Sequence, residues 1–202
     1  MREVVHPIEV RSYAILRARL DLGHLPPLVR AVTERVVHTT ADTSWAGELI
    51  TNEAALLRGQ AALRAGAPLV VDARMVAAGV TTRESIVVLD EPGVADLVAD
   101  TGLTRSAAGT RLAARWVPPG AVWVVGNAPT ALLELVRLAA IGDCDPALVV
   151  GVPVGFVGAV EAKAALRASG LAAVSTPGER GGSPVAVAVV NALLYADRGS
   201  PS

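Results

Sequence analysis

Proton transfer near neutral pH calls first for histidine, and the chain has three of them. His6 precedes a proline close to the N-terminus and His24 lies in the turn Gly23–Pro27, so both read as surface residues. His38 differs: it stands in the last turn of an apolar helix, in Arg35-Val36-Val37-His38-Thr39-Thr40. There it serves either as a cation favourable at a helix C-terminus, the simpler role, or as an acid–base group. Recognition of carboxylates calls for arginine, whose planar fork binds them with two parallel hydrogen bonds. Arg17 lies one turn after Ser12 and Tyr13, Arg105 follows Thr104 at a helix start, and Arg180 sits in Gly178-Glu179-Arg180-Gly181-Gly182-Ser183 before the last helix. A helix N-terminus adds backbone N–H donors and makes a seat for carboxylate or phosphate. Taken singly, each of these arginines reads as a solvated charge.

Other chemistries find no support. No pair of His, Asp or Glu has metal-ligand spacing with His38. A single cysteine, Cys144, excludes an intramolecular disulfide and a cysteine-cluster metal site. Its Asp-Cys-Asp setting raises its pKa, so the thiol is read as inert. Gly151-Val152-Pro153-Val154-Gly155-Phe156-Val157-Gly158 misses the dinucleotide spacing, with Pro153 and Phe156 where a pyrophosphate would lie, and no phosphate-binding GxxxxGK[ST] loop occurs. Net charge is −1, the basic residues are scattered, and aromatics make up 3%, which argues against a nucleic-acid partner. Of 18 basic residues only Lys163 is lysine.

The elements that must position these groups follow from periodicity. Ala121–Lys163 contains two short apolar runs, Ala121–Val125 and Ala147–Val150, each followed by a turn and a helical pattern. That alternation is the grammar of a parallel α/β sheet, whose ligands sit beyond the carboxyl ends of the strands. The loops Gly126–Thr130 and Gly151–Gly158 are therefore where a site belongs. Further strands are predicted at Pro68–Asp72, Ser85–Leu89 and Leu171–Ser175. Helices are predicted at Ile8–Leu20, at Leu28–His38 and from a cap at Thr43 or Ser44 through to Arg64. Others follow at Gly93–Asp100, Thr104–Trp116, Pro129–Ile141, Gly158–Ala168 and Gly182–Tyr195, while Met75–Gly79 is read as a connection out of the first strand. The expected fold class is a three-layer α/β/α, flavodoxin-like parallel five-stranded sheet with N-terminal helices, in one domain over residues 1–202. The apolar fraction, 52%, is high, yet no uncharged apolar run is long enough for a membrane span. The excess is expected at an oligomer interface. Met1–Tyr13 lacks the apolar core of a signal peptide, which points to the cytoplasm.

Several segments together resemble one family, the precorrin-8X methylmutases (precorrin isomerases) of cobalamin biosynthesis. They are Arg11-Ser12-Tyr13 with Leu16-Arg17, Val37-His38, Ala65–Pro68 with Asp72 and Met75–Thr81, and Thr104-Arg105-Ser106-Ala107-Ala108. The series continues with Val125-Gly126-Asn127-Ala128-Pro129-Thr130-Ala131-Leu132, Gly151–Ala159 with Glu161 and Lys163, Arg180–Ser183 and Asn191-Ala192-Leu193, so it spans nearly the whole chain in order. The resemblance implies a homodimeric, flavodoxin-like isomerase that moves a methyl group of a tetrapyrrole from C-11 to C-12, giving hydrogenobyrinic acid or its cobalt counterpart. The family's catalytic histidine falls on His38, which turns the reading of that residue to acid–base chemistry. The family's substrate contacts fall on Ser12, Arg17 and Arg105. Asn127, Thr130 and Arg180 are expected to add polar contacts to the many carboxylates of the substrate, and Gly151, Gly155 and Gly158 to let backbone approach it. The chemistry implied needs no metal or organic cofactor.

Three departures from the family pattern support a second reading, a non-catalytic relative that binds or hands on a corrinoid intermediate. Thr82-Arg83-Glu84 leads almost directly into the second strand where the family usually has a longer loop, Thr39-Thr40-Ala41 replaces an Ala-Cys-Gly-like run, and Val10 stands where a tyrosine is usual. These changes are expected to border the substrate cavity.

Overall fold

The computed structural model describes residues 6–196; the first five residues, part of the segment read for a leader, lie outside it. Short runs of Val, Leu and Ile form five strands, β1 (Leu69–Val71), β2 (Ile86–Val87), β3 (Val122–Val125), β4 (Leu148–Gly151) and β5 (Ala173–Val174). All pairings are parallel and the order is β2-β1-β3-β4-β5, the doubly wound, flavodoxin-like arrangement. Because side chains alternate along a strand, each strand feeds two cores. Leu69, Val71, Val122, Val124, Leu148, Val150 and Val174 face one, while Val70, Trp123, Val125 and Val149 face the other.

The first face is covered by α2 (Pro27–Thr40), α3 (Glu53–Arg64) and α9 (Ser183–Tyr195), with α1 (Pro7–Arg19) laid on α2. A short helix, α4 (Arg74–Gly79), leads from β1 and packs against α9. The second face is covered by α6 (Arg105–Ala114), α7 (Pro129–Ala140) and α8 (Ala159–Ala168), with α5 (Val94–Thr101) against α6. Among the described residues no helix is long and apolar enough to cross a membrane.

Three expectations are corrected. The segment from Thr43 to Arg64 is not one helix. Asp42 caps a 3-10 turn, Thr43–Gly47; Ile50 then exchanges both backbone hydrogen bonds with Ser175, at 2.8 and 3.0 Å. Thr51 Oγ1 donates to Ala173 O, and Asn52 starts α3 by accepting from Ala55 N at 2.8 Å. Asp42 and Asn52 bind nearby backbone and compete with helix, while Ile50 and Thr51 bond the distant backbone of Ser175 and Ala173 at the sheet edge. Met75–Gly79 is helical instead of a plain connection. The strand read as Ser85–Leu89 keeps only Ile86–Val87 before a 3-10 turn at Val88–Asp90.

The short passage before β2 is also placed differently from expectation. Arg83 donates from Nη1 to Leu63 O at 2.6 Å and from Nη2 to Ala67 O. Ala67 precedes β1, so in a parallel sheet this passage lies at the amino edge of the strands. It does not border the loops at the carboxyl edge.

Candidate active site

At the carboxyl edge the loop after β3 is fixed from beneath by a residue to which the sequence assigned no role. Asp72, directly after β1, accepts from Gly126 N at 3.0 Å, Asn127 N at 2.8 Å and Ala128 N at 2.7 Å. Burial pushes its carboxyl up, and the three backbone donors oppose that shift by favouring the carboxylate. Asn127 and Pro129 are thereby presented at the edge, and α7 begins. Thr130, in the first turn of α7, meets Thr104 Oγ1 at 2.7 Å, and Thr104 caps α6 by accepting from Ala107 N. Arg105, the first residue of α6, is exposed. Asn127, Thr130 and Arg105 thus form one polar group across two adjacent helix N-termini.

The loops after β4 and β5 are knitted together. Gly182 N donates to Val152 O at 2.8 Å and Gly155 N to Glu179 O at 3.1 Å. A Cβ at Gly181 would lie 2.1 Å from Val152 O, so only glycine allows this approach. Gly151 is spent differently from expectation: its missing Cβ makes room for Leu166 and Leu132 inside the core, not for a ligand. Lys163, wholly buried on α8, donates to Thr176 Oγ1 at 3.0 Å and Arg180 O at 2.9 Å. Burial lowers its pKa. The Arg180 side chain reaches back to the exit of α2, donating to Ser44 Oγ at 3.0 Å and Asp42 Oδ2 at 2.5 Å while lying over the Trp45 ring at 4.4 Å. Arg180 therefore latches the segment that follows His38.

His38 is in the last turn of α2, as expected. Its Nδ1 lies 2.9 Å from Ser12 Oγ, and its ring stacks on Tyr13 with centroids 4.8 Å apart and planes 12° apart. Burial pushes the Tyr13 phenol up, so the stacked ring stays uncharged. Arg17, on the same face of α1, lies 5.7 Å from the Tyr13 centroid and grips Glu34 with Nε at 3.1 Å and Nη2 at 3.0 Å. With Nδ1 on a hydroxyl that can accept or donate, Nε2 is left to exchange protons. Ser12, Arg17 and His38 are thus brought together, and Arg180 joins their helix. The second polar group stands beside the loop after β3, where Gly126 packs on Ser183 and Ala186 in the first turn of α9.

Glu34, Asp72 and Lys163 are the functional supports that sequence reasoning passed over. Each carried a signal: a carboxylate one turn before His38, an aspartate closing a buried strand, and the one lysine of the chain. A cavity of about 670 Å³ lies elsewhere, at the C-terminal ends of α6 and α7, lined by Arg111, Ala114, Arg115, Arg137, Leu138 and Asp143. Two of its arginines serve buried Glu134, at 2.6 and 2.8 Å. Against the cost of burial, their hydrogen bonds hold that carboxyl below its ordinary range. Cys144 is inert as expected, its thiol pushed up to about 11 by burial and Asp145.

Fold and site together define a doubly wound α/β protein in which a serine and a tyrosine hold a histidine at the end of α2. The family model for precorrin-8X methylmutase (CbiC) matches residues 7–196, and the chain belongs to that family of isomerases of cobalamin biosynthesis. It is 40% identical over 191 residues to a cobalt-precorrin-8 methylmutase of Methanothermobacter thermautotrophicus, covering 94% of this chain and 92% of that one. It is 40% identical over 193 residues to a precorrin-8X methylmutase of Pseudomonas aeruginosa, covering 91% of each. The crystal structure of the Thermus thermophilus precorrin-8X methylmutase superposes with a TM-score of 0.85 at 36% identity, over 95% of this chain and 98% of that one.

Proposed function

We propose that this chain catalyses the methyl shift from C-11 to C-12 of precorrin-8X or its cobalt-containing equivalent, with His38 as the acid–base group. The observation that carries the reading is the His38–Ser12–Tyr13 arrangement at the end of α2. His38 delivers a proton from Nε2 to the macrocycle, which draws electron density from the carbon that bears the migrating methyl. The C-11–methyl bond breaks as the C-12–methyl bond forms, and the proton returns to His38. Substrate and product are isomers, so the enzyme ends as it began. Ser12 Oγ holds Nδ1, accepting from Nδ1–H when the ring is charged.

Substrate carboxylates are received by Arg105, Asn127 and Thr130, where two helix N-termini add backbone donors. Arg17 and Arg180 reach the substrate from positions already anchored by Glu34 and Asp42. With the short passage before β2 at the far edge of the sheet, the main argument for a carrier without turnover loses its ground. Identity does not separate the two substrates, because relatives named for each match at the same 40%.

The working form is a cytoplasmic homodimer. This is supported by the exposure of Phe156 at 91% and Val157 at 88%, apolar surface that a lone chain would leave in water. Sedimentation at micromolar concentration checks it: a dimer is expected, and a monomer would contradict it. The activity is tested by following absorbance when the protein meets each substrate in excess. Many turnovers are expected; one bound equivalent with no conversion would favour the carrier.

A further inference from the structure

Glu34 is 6% exposed, and its carboxylate faces α1 from one turn before His38. Burying a carboxylate is costly even when it is paired, and well-packed apolar residues hold two helices together at least as well. What the bidentate fork adds is direction. With Nε and Nη2 of Arg17 on the two oxygens of Glu34, α1 is fixed along and around α2. A slip of one residue would turn Ser12 by about 100° around α1 and away from Nδ1. The ion pair of Arg35 with Glu9, at 3.6 Å, also joins these helices, but its groups are partly exposed and it restrains little.

The contacts run in series from Glu34. Its partner Arg17 lies over Tyr13, Tyr13 stacks on His38, and Ser12, the neighbour of Tyr13, holds Nδ1. Glu34 and His38, four residues apart, share a face of α2, so one short stretch of α1 meets both. We propose that Glu34 is a positioning residue: acting through Arg17 and Tyr13, it sets the ring plane of His38 and keeps Nδ1 on Ser12, so that Nε2 faces the substrate. The proposal rests on the reading of His38 as the acid–base group.

The test pairs a ring signature with kinetics. In protein labelled with ¹⁵N-histidine, the His38 resonances are assigned by their loss in His38→Gln. Wild type is expected to show one tautomer and Glu34→Gln an average of two. With cobalt-precorrin-8 as substrate, kcat of Glu34→Gln is expected to fall at least about tenfold, as for a displaced but intact group, and KM to rise by less than kcat falls, because Arg17 also meets the substrate. Should Glu34→Gln fail to fold, Glu34→Asp keeps the charge, and the same changes are expected in smaller measure. The pair Glu34→Gln with Arg17→Met is expected to be no slower than the slower single variant, because both act through one contact. A folded Glu34→Gln with unchanged tautomer and kcat overturns the proposal. A raised KM at unchanged kcat also overturns it, by making the carboxylate a binding group. If the wild type turns over neither substrate yet its His38 tautomer depends on Glu34, positioning stands and the isomerase reading falls. Turnover without that dependence has the opposite meaning.

Discussion

A hydroxyl on Nδ1 and a ring on its face leave His38 one free nitrogen, and substitutions around it separate holding from proton transfer. Ser12→Ala removes the Nδ1 partner and keeps the stack on Tyr13. The expected result is a fall in kcat of about tenfold, less than the loss of an acid–base group, with KM nearly unchanged. Steady-state rates on the corrinoid substrate check it; an undiminished kcat would remove Ser12 from the account. Lys163 gives a prediction in pH. Its folded pKa is depressed by burial, so its charged form burdens the fold at neutral pH. Stability should therefore rise as pH climbs from the folded value towards the unfolded one. Urea unfolding at neutral and alkaline pH is expected to show that rise in wild type and its absence in Lys163→Met.

The elements show what was legible in the sequence and what was not. The parallel strands and both helical layers followed from the alternation of apolar runs with helical periods, because a buried parallel sheet leaves little else for such runs to do, whereas the order β2-β1-β3-β4-β5 is flavodoxin-like as expected but is not encoded in that alternation. His38 was legible as a position, the last turn of α2, and its role came from the resemblance. The helix predicted from Thr43 failed because Asp42 and Asn52 bind nearby backbone and Ile50 and Thr51 bond distant backbone beside β5, which outweighs the helical pattern of Leu49 and Ile50. Glu34 and Asp72 were passed over because their partners lie 17 and more than 50 residues away, a separation no local pattern encodes. The exit of α2 carries a further consequence. Ala41 ends it in the left-handed region, φ 52°, which a Cβ disfavours. Ala41→Gly is expected to raise stability by about 0.5–1 kcal/mol, read as a shifted urea midpoint at unchanged slope. No gain would mean that the conformation carries no strain.

Across the molecule, the two edges of the sheet divide the work. At the amino edge Arg83 fastens the passage into β2, and the arginine-lined cavity serves Glu134. At the carboxyl edge Asp72 fixes the loop after β3, Lys163 holds the loop after β5, and Arg180 ties that loop to the exit of α2. Arg105, Asn127 and Thr130 stand at the N-termini of α6 and α7, and the exit of α2, a few residues after His38, is tied by Arg180 to the loop after β5. Most direct is a comparison of wild type and His38→Ala, each mixed with precorrin-8X and with cobalt-precorrin-8 in excess and followed by absorbance. Wild type is expected to turn over at least one substrate many times, and His38→Ala to bind product while converting substrate about 10²–10⁴-fold more slowly. Equal rates in the two proteins, or one bound equivalent and no conversion in wild type, would contradict the account.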